Sequence, residues 1–448
     1  MKRVFVANRG EIALRIVRAC QEVGLESVVG FSEADREGLA ARSADLAVCI
    51  GPGPAGLSYL RDDIVVQAAV GTGCDAIHPG YGFLAENPRL ARRALDSGLL
   101  FVGPPPEVME LTGDKLQARE QADRAGLPVL PGRAVDDARE AESMAGEIGY
   151  PVLVKAAGGG GGRGIKLAGD PAELRSIIGL ARREAAAAFD DERLYIERFI
   201  TAARHVEVQI AADEHGEVVH LGERDCSVQR RYQKVIEEAP APLLADDLRA
   251  AMCDAGVRLA TAIGYRNLGT VEFVLDAERS EFFFLEVNCR IQVEHPVTEA
   301  ITDRDLVALQ LRIADGDPLP FAQEDIAPQG HAIECRLNAE DITRGFMPSP
   351  GTLSLFWIPE PPQLRIDTHC YPGAAVPPYY DSLLAKLIAH ANDRESAIEL
   401  LLGALEDTDI EGVETNRALL VSVLGHPDFR AGAVTTDWLE RSLVRGKQ

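Results

Sequence analysis

Short apolar runs alternate with amphipathic stretches over the first hundred residues. The β-branched run at 3–7 predicts a strand, and the apolar residues after it recur at helical spacing until Gly24, at Ile12, Ile16, Ala19 and Val23. Further strands are predicted at 27–31, 46–50, 76–78 and 99–102, and helices at 62–70 and 88–97. This alternation is typical of a parallel sheet covered by helices. We therefore expect an α/β domain that ends near residues 105–115.

The pattern changes after Pro104–Pro106. A second unit has predicted helices at 138–148 and 170–188 and predicted strands at 151–155, 165–167 and 195–199. Two of these strands flank the run Gly158–Gly162, which predicts a hairpin that folds over a ligand. The rest of the chain mixes strands, at 205–210, 270–275 and 281–287, with helices. We expect an N-terminal domain at 1–114, a lid at 115–200 and a mixed α+β part at 201–448.

Composition and charge exclude several classes of function. The chain has 448 residues and a formal net charge of −24, so a general binder of nucleic acid or of anionic membranes is not expected. No apolar stretch is long enough to cross a membrane, and charged residues interrupt the apolar run at the N-terminus that a signal peptide would need. The eight cysteines are scattered, with no CxxC pair. We expect a cytoplasmic protein with reduced thiols.

The run from Lys155 to Gly164 is the strongest local signal for chemistry. Glycines let backbone N–H groups approach phosphate oxygens, and Lys155 supplies a cation beside them. The run lacks the Gly-Lys-Ser/Thr of a Walker A loop, and it precedes a strand rather than the helix of a dinucleotide-binding turn. It therefore indicates a nucleoside triphosphate site, with Lys115 as a second cation. The alternatives are a flexible surface hairpin and a plain helix-start role for Lys115.

Three residues with oxygen ligands lie on two strands predicted to be neighbours. Glu286 and Asn288 are two residues apart and so point to the same face of a strand, and Glu272 lies in the apolar strand before them. Oxygen ligands of this kind suit Mg²⁺ that bridges nucleotide phosphates. The alternative is that all three side chains face solvent.

A second polar group follows directly. Arg290, Gln292 and Glu294 would share one face if this stretch is extended. A guanidinium beside an amide and a carboxylate makes a pocket for a small planar anion with a base next to it. A surface ion-pair stripe is the alternative.

These motifs together resemble those of biotin carboxylases, which are ATP-grasp enzymes, over nearly the whole chain. The motifs that carry the resemblance are Ala7–Ala13, His78–Leu84 with Glu86 and Asn87, the loop at 155–164, Glu223–Ser227, Gln229–Arg231, Gln233 with Lys234, Asn288–Thr298, Glu334–Asp341, Pro348–Gly351 and Pro377–Ser382. The resemblance implies an ATP-grasp fold: an N-terminal Rossmann-like parallel sheet domain, a glycine-rich lid and a C-terminal mixed domain.

The resemblance also implies a reaction and residues for it. ATP, bicarbonate and biotin would give ADP, phosphate and N-carboxybiotin, with Mg²⁺, or Mn²⁺ in its place, held by Glu272, Glu286 and Asn288. The implied nucleotide contacts are Lys115, Lys155, Gly161, Gly162, Glu197, Arg198, Phe199, Ile200, His205, Gln229 and Tyr232. Lys234, Arg290, Gln292 and Val293 would hold bicarbonate, Glu294 would deprotonate it, and Arg336 would stabilise the enolate form of biotin.

The chain departs from the family pattern at a few positions. Tyr232 stands where a histidine near the nucleotide is expected, and tyrosine cannot become a cation. Cys289 replaces the usual threonine and Val287 a common methionine, and neither change removes an expected metal ligand.

The resemblance implies partners as well. An Ala-Met-Lys-Met biotinylation motif is not found in these residues, so biotin is expected on a separate biotin carboxyl carrier protein, with a separate carboxyltransferase. Arg15, Arg18 and Glu22 match charged residues of the family's dimer surface, which predicts a homodimer, and a solvated helix face is the alternative.

The final carboxyl acceptor stays open among acetyl-CoA, another acyl-CoA, pyruvate and urea. Two other readings of the chain are an ATP-grasp ligase that activates a different carboxylate and a non-catalytic subunit that keeps the fold.

Overall fold

The N-terminal part of the chain is a parallel sheet of five strands. A computed structural model describes residues 1–156, 165–189 and 192–444. The strands lie in the order β3-β2-β1-β4-β5 and all pair in parallel; they are β1 (Arg3–Val6), β2 (Glu26–Ser32), β3 (Leu46–Gly51), β4 (Ala76–His78) and β5 (Leu100–Phe101). The helices are α1 (Gly10–Glu22), α2 (Leu39–Ser43), α3 (Asp62–Gly71), α4 (Pro88–Asp96) and α5 (Pro106–Gly113). The predicted α/β domain is confirmed.

The strand order reverses at β1, which lies between β2 and β4. The loops that follow two such parallel strands border a crevice at the carboxyl ends of the strands. Asn8, directly after β1, donates its side-chain amide to the carbonyls of Pro79 and Tyr81, both at 2.7 Å. The loops after β1 and β4 are therefore tied together.

The lid, as this part of the chain is called here, is a small antiparallel sheet covered by two helices, and the helix before it packs against a later strand, Glu281–Asn288. Its elements are α6 (Lys115–Arg124), β6 (Gly132–Val135), α7 (Ala138–Ile148), β7 (Val152–Ala156), β8 (Lys166–Ala168), α8 (Pro171–Phe189) and β9 (Leu194–Arg198), with strand order β6-β9-β7-β8. The predicted hairpin is present, because β7 and β8 pair from Val152 opposite Ala168 to Val154 opposite Lys166. Its glycine tip, with Gly161 and Gly162, lies outside the described residues.

The rest of the chain is built on an antiparallel sheet of eight strands. The strands after the lid are β10 (Ala203–Ala212), β11 (Val218–Arg230), β12 (Gln233–Ala239), β13 (Asn267–Asp276), β14 (Glu281–Asn288), β15 (His331–Asn338), β16 (Glu340–Asp341), β17 (Met347–Pro348), β18 (Gly351–Thr352), β19 (Leu355–Trp357), β20 (Leu364–Thr368), β21 (Ala375–Val376), β22 (Leu383–Ala391) and β23 (Asp409–Glu411). The large sheet has the order β14-β13-β10-β11-β12-β15-β22-β20, and the other strands form three pairs. Strands far apart in the chain therefore become neighbours.

Helices cover this sheet. They are α9 (Asp246–Ala262), α10 (His295–Thr302), α11 (Leu306–Ala314), α12 (Arg394–Asp407), α13 (Arg417–Leu424) and α14 (Pro427–Arg430). Short 3₁₀ turns lie at Glu33–Asp35, Ala55–Leu57, Gln323–Asp325 and Ile342–Arg344, and a π-helical turn at Glu440–Val444. Within the described ranges, no helix is both long and apolar enough to cross a membrane.

The largest apolar cluster joins the N-terminal sheet to the large sheet. It runs from Phe5 and Ile77 through α9 to Phe273 and Phe282, whose rings meet edge to face with centroids 5.3 Å apart. A continuous apolar core of this kind holds the two sheets in fixed relation. All eight cysteines are free, as expected for reduced thiols.

Candidate active site

A row of charged side chains crosses four strands of the large sheet. Glu286 on β14 lies opposite Glu272 on β13, Glu272 lies opposite Glu207 on β10, and Glu207 lies opposite Arg224 on β11. Like charges directly opposite each other destabilise a sheet unless cations lie between them. This row therefore indicates a site that binds cations. Glu207 was missed by sequence reasoning, although its spacing of two from His205 places both residues on one face of β10.

Lys234 is the cation at the centre of the cluster. Its Nζ lies 2.6 Å from Glu207, 3.0 Å from Glu272 and 2.6 Å from Glu294. Burial by itself would lower the pKa of Lys234, but Cys226 and the three glutamates raise it well above its ordinary value. Lys234 therefore stays protonated and holds the carboxylates together.

Glu294 is fully buried between two cations. One carboxylate oxygen accepts from Lys234 Nζ at 2.6 Å, and the other accepts from Arg336 Nη2 at 2.8 Å. Burial alone would raise the pKa of Glu294, but Lys234, Arg336 and Arg224 lower it well below its ordinary value. The residue is therefore an ionised carboxylate at neutral pH.

The segment from Arg290 to Glu294 is not an extended strand, which corrects the sequence prediction. Glu294 has φ −81° and ψ 10° and begins helix α10. The side chains nevertheless meet: Arg290 donates to Gln292 at 2.9 Å, and Gln292 donates to Glu272 at 3.2 Å. A turn in the backbone, and not the two-residue repeat of a strand, brings the side chains of Arg290 and Gln292 to Glu272. The carbonyl of Val293 in this turn accepts from Lys386 Nζ at 2.9 Å.

Arg290 is fixed from the opposite side by a residue of the N-terminal part. Its Nε lies 3.2 Å from Glu86, and its Nη2 donates to Asn288 at 3.0 Å. Glu86 also accepts from the backbone N–H of Cys289 at 3.1 Å. The motif that contains Glu86 therefore belongs to this site, as its ion pair shows.

The ligands predicted for Mg²⁺ lie at the Glu286 end of the row, which is the open side because Glu286 is half-buried. Glu272 and Glu286 face each other across β13 and β14. The Asn288 side chain is two residues from Glu286 on the same strand, and its Oδ1 accepts from Arg290 Nη2 at 3.0 Å. The cation nearest Glu286 is Lys115, 4.0 Å away. Two facing carboxylates with an amide beside them fit a hard divalent cation.

Two other groups bring three potential ligand atoms together in the described part of the chain. They are His205, Glu207 and Glu272, and Glu207, Cys226 and Glu294. Both contain carboxylates that Lys234 already bridges. His205 Nε2 lies 3.1 Å from Glu272. Burial by itself would lower the pKa of His205, but the carboxylate of Glu272 raises it above its ordinary value. Burial by itself would raise the pKa of Glu272, but Lys234 and His205 lower it below its ordinary value.

Several residues predicted to contact the nucleotide lie on the lid strands or on the large sheet. Lys155 on β7 forms an ion pair with the buried Glu197 on β9, and Arg198 donates to Asp276 at 2.8 Å. Ile200 is buried, Phe199 is half-buried, and Gln229 donates to the Cys226 carbonyl at 3.2 Å.

Tyr232 is separate from these side chains. It is 58% exposed in the turn between β11 and β12, at φ 66°. Among the described contacts, its hydroxyl makes no hydrogen bond with the Glu294 cluster. Its predicted contact with a nucleotide stays a prediction.

The three charged residues predicted for a dimer surface on the first helix differ in their exposure. Arg15 is buried and pairs within its own chain, at 2.9 Å from Glu299 and 2.7 Å from Asp305. Arg18 and Glu22 are exposed, as the prediction required. Only those two of the three residues are available on the surface of α1.

Three family models match the chain in succession. Residues 1–109 match "Biotin carboxylase, N-terminal domain", residues 114–322 match "Carbamoyl-phosphate synthase L chain, ATP binding domain", and residues 334–441 match "Biotin carboxylase C-terminal domain". Biotin carboxylase 1 of Bacillus subtilis is 46% identical over 448 residues, covering 100% of both chains. Biotin carboxylase of Pseudomonas aeruginosa is 48% identical, also over 100% of both chains.

Solved structures agree with these matches. The biotin carboxylase domain dimer of Hydrogenobacter thermophilus 2-oxoglutarate carboxylase, in complex with MgADP, ADP and bicarbonate, is 45% identical with a TM-score of 0.95, over 98% of this chain and 97% of that chain. A Campylobacter jejuni biotin carboxylase–β,γ-ATP complex is 42% identical with a TM-score of 0.95, over 98% of both chains.

Proposed function

This chain belongs to the biotin carboxylase family, and we propose the roles that its residues play in the ATP-dependent carboxylation of biotin with bicarbonate. The observation that carries the assignment is the buried carboxylate of Glu294, which lies between Lys234 and Arg336 at 2.6 and 2.8 Å. A fixed base between two cations is what a small acidic anion such as bicarbonate requires.

Bicarbonate is a poor nucleophile until it loses its proton. Glu294 is the proposed base, and Lys234, Arg290, Gln292 and the Val293 N–H are the proposed anion contacts. The two cations that surround Glu294 keep it ionised but also make it a weak base. When bicarbonate draws Lys234 toward itself, Glu294 loses part of the stabilisation that this cation gives it, and the proton affinity of Glu294 rises. Binding of the substrate thus strengthens the base.

Glu272, Glu286 and Asn288 would hold Mg²⁺, which neutralises charge on the phosphate oxygens of ATP when bound. Lys115 and Lys155 would contact the same phosphates. Lys155 is held by Glu197 in the lid sheet, so a closed lid would bring this cation to the nucleotide. A closed lid would also exclude water, which protects a carboxyphosphate intermediate from hydrolysis.

We propose that the biotin is carried by a biotin carboxyl carrier protein, that a carboxyltransferase uses the product, and that the chain forms a homodimer in the cytoplasm. Support for the dimer comes from the Hydrogenobacter structure, which is a dimer, and from the exposed Arg18 and Glu22 on α1. The relatives include carboxylases of 2-oxoglutarate and of pyruvate, so the acceptor does not follow from the fold.

The test measures ADP release by the purified chain with Mg²⁺ and ATP. We expect slow turnover that needs bicarbonate and that increases with added biotin. Turnover that ignores both compounds, or that instead needs a different carboxylate, would assign the site to another ATP-grasp ligase.

A further inference from the structure

A second pair of buried acids lies behind Arg336. Glu237 on β12 is directly opposite Glu334 on β15, and both side chains have 0% exposure. Glu334 and Arg336 are two residues apart on β15, so all three side chains lie on one face of the sheet. None of the roles proposed above uses either acid.

Glu237 is in direct contact with the biotin-site arginine. Its Oε1 lies 2.7 Å from Arg336 Nη2, the nitrogen that also lies 2.8 Å from Glu294 Oε2. One guanidinium nitrogen is therefore shared by two carboxylates, one of them the proposed base. Among the described residues, no oxygen of Glu237 or Glu334 has a hydrogen-bond partner of good geometry, so Glu237 is joined to Arg336 by an ion pair.

We propose that Glu237 is a positioning residue whose anionic form holds the guanidinium of Arg336 in place for biotin. This inference rests on the role of Arg336 proposed above. Without the carboxylate of Glu237, the guanidinium has only Glu294 as a partner at that nitrogen. It would then move toward the base and away from the ureido ring of biotin, where charge develops as the enolate forms.

The charge of Glu237 changes near neutral pH because of its surroundings. Burial raises the pKa of Glu237 to about 7, with Arg336 opposing that rise and Glu294 adding to it. Burial also raises the pKa of Glu334 well above its ordinary value, against Lys386. Two facing carboxylates in a low-dielectric interior do not both ionise readily, so Glu334 is the member that stays protonated.

The other titratable groups near this pair belong to the elements around it. Besides Arg336, Glu294 and Lys386 they are Lys234 on β12, Cys226 on β11 and Cys335 on β15. Helix α10, with His295 and Glu299, also packs against β12 and β15. Arg394 on α12 and Arg417 on α13 belong to helices that pack on the opposite face of the sheet, with Ile333 and Cys335. Arg394 forms an ion pair with Glu238, and Glu299 forms ion pairs with Arg15 and Arg365. Arg417 donates hydrogen bonds to backbone carbonyls. His295 has a pKa far below its ordinary value, because of burial and the nearby Lys386, and stays neutral.

The test is the ratio of biotin-dependent to biotin-independent ADP release, measured from pH 6 to pH 8 at saturating bicarbonate. Glu237 gains its charge as the pH rises through about 7, so in the parent this ratio should rise about tenfold. In Glu237→Gln the ratio should be low and flat with pH, and the Michaelis constant for biotin should rise about tenfold. Glu237→Asp keeps a carboxylate one methylene shorter and should keep the pH dependence at a reduced ratio.

Glu334→Gln is the matched control, because it replaces the protonated neighbour with a neutral group of the same shape. It should retain the rise near pH 7. A parent ratio that is flat with pH, or a Glu237→Gln ratio that still rises, would overturn the inference. A parent that responds to neither bicarbonate nor biotin would show instead that the proposed function is wrong, and the inference would fail with it.

Discussion

Burial alone does not decide whether a single residue of this protein is charged or neutral. Glu294 and Glu237 are both fully buried glutamates within reach of Arg336. Glu294 has two further cations, Lys234 and Arg224, which outweigh burial and lower its pKa. Burial raises the pKa of Glu237 to about 7, with Arg336 opposing that rise and Glu294 adding to it. Of two chemically identical side chains on one arginine, one is therefore ionised at neutral pH in the free protein, and the other titrates near neutral pH.

At the metal site, Glu286→Gln should lower turnover by about two orders of magnitude, because one anionic ligand of Mg²⁺ is lost. The fold should be unaffected, since Glu286 lies at the open side of the row. The measurement is ADP release at saturating ATP, with a thermal melt to check folding. Glu281→Gln, an exposed residue of the same strand, is the control and should keep parent activity. Near-parent turnover in Glu286→Gln would refute the ligand assignment.

At the turn between β11 and β12, Tyr232→His should be tolerated. The residue is exposed and has a positive φ, which histidine adopts more readily than tyrosine. Because the family has a histidine near the nucleotide here, the Michaelis constant for ATP should change more than that for bicarbonate. Steady-state kinetics with each substrate varied in turn measures both. A change confined to bicarbonate would show that the residue belongs to the anion pocket.

At the scale of strands and helices, buried ion pairs join elements that are distant in sequence. Glu238 on β12 accepts from His331 on β15 at 2.8 Å and from Arg394 on α12 at 2.6 Å. Burial by itself would raise the pKa of Glu238, but hydrogen bonds from His331 and Arg394 lower it below its ordinary value. This carboxylate thus stabilises the join between the large sheet and α12.

Glu238→Gln should destabilise the protein by about 3 kcal/mol at neutral pH, because a buried arginine loses its counter-ion. The folded-state pKa of Glu238 is lowered, so its stabilising contribution is present above the unfolded pKa and is lost as the pH falls. Urea unfolding at pH 7 and at pH 4 should therefore show a smaller difference between parent and variant at the lower pH. The control Glu406→Gln, on the exposed side of α12, should have the same free energy of unfolding as the parent at both pH values. An equal difference at both pH values would contradict this account.

At the scale of the whole molecule, the proposed site draws its residues from three parts of the chain. Glu86 comes from the N-terminal part, Lys155 from the lid, and Lys234, Glu294 and Arg336 from strands and loops of the large sheet. Such a site can close over ATP while one side stays open for a substrate attached to another protein. The apolar core that joins the two sheets holds the N-terminal part and the large sheet in a constant relative position.

A carrier protein should therefore be a far better biotin donor than free biotin. A docked carrier raises the effective concentration of biotin at the site to about the millimolar range. Carboxylation rates with biotinylated carrier and with free biotin at equal concentration measure the difference. Equal rates would contradict the proposal, as would mass spectrometry that finds biotin covalently attached to this chain.

Much of the local structure could be predicted from the sequence, because periodicity is a local property. The strand–helix alternation of the N-terminal sheet, the hairpin around the glycine run and the strands that bear Glu272 and Glu286 lie where apolar spacing placed them. The family motifs also predicted roles for Lys234, Glu294 and Arg336 in one site. In the structure, Lys234 and Arg336 both lie within hydrogen-bonding distance of Glu294.

Only the tertiary structure decided which face and which partner each charged residue has. Glu207 joins the carboxylate row, Glu237 meets Arg336, and Arg15 turns inward to Glu299, because strand order and register bring together segments far apart in the chain. The period of a strand tells which residues share a face, but not which strand lies beside it. Sequence determined the elements and the chemical groups of this protein, and the non-local pairing of the strands determined which of those groups lie beside the same cation or the same partner.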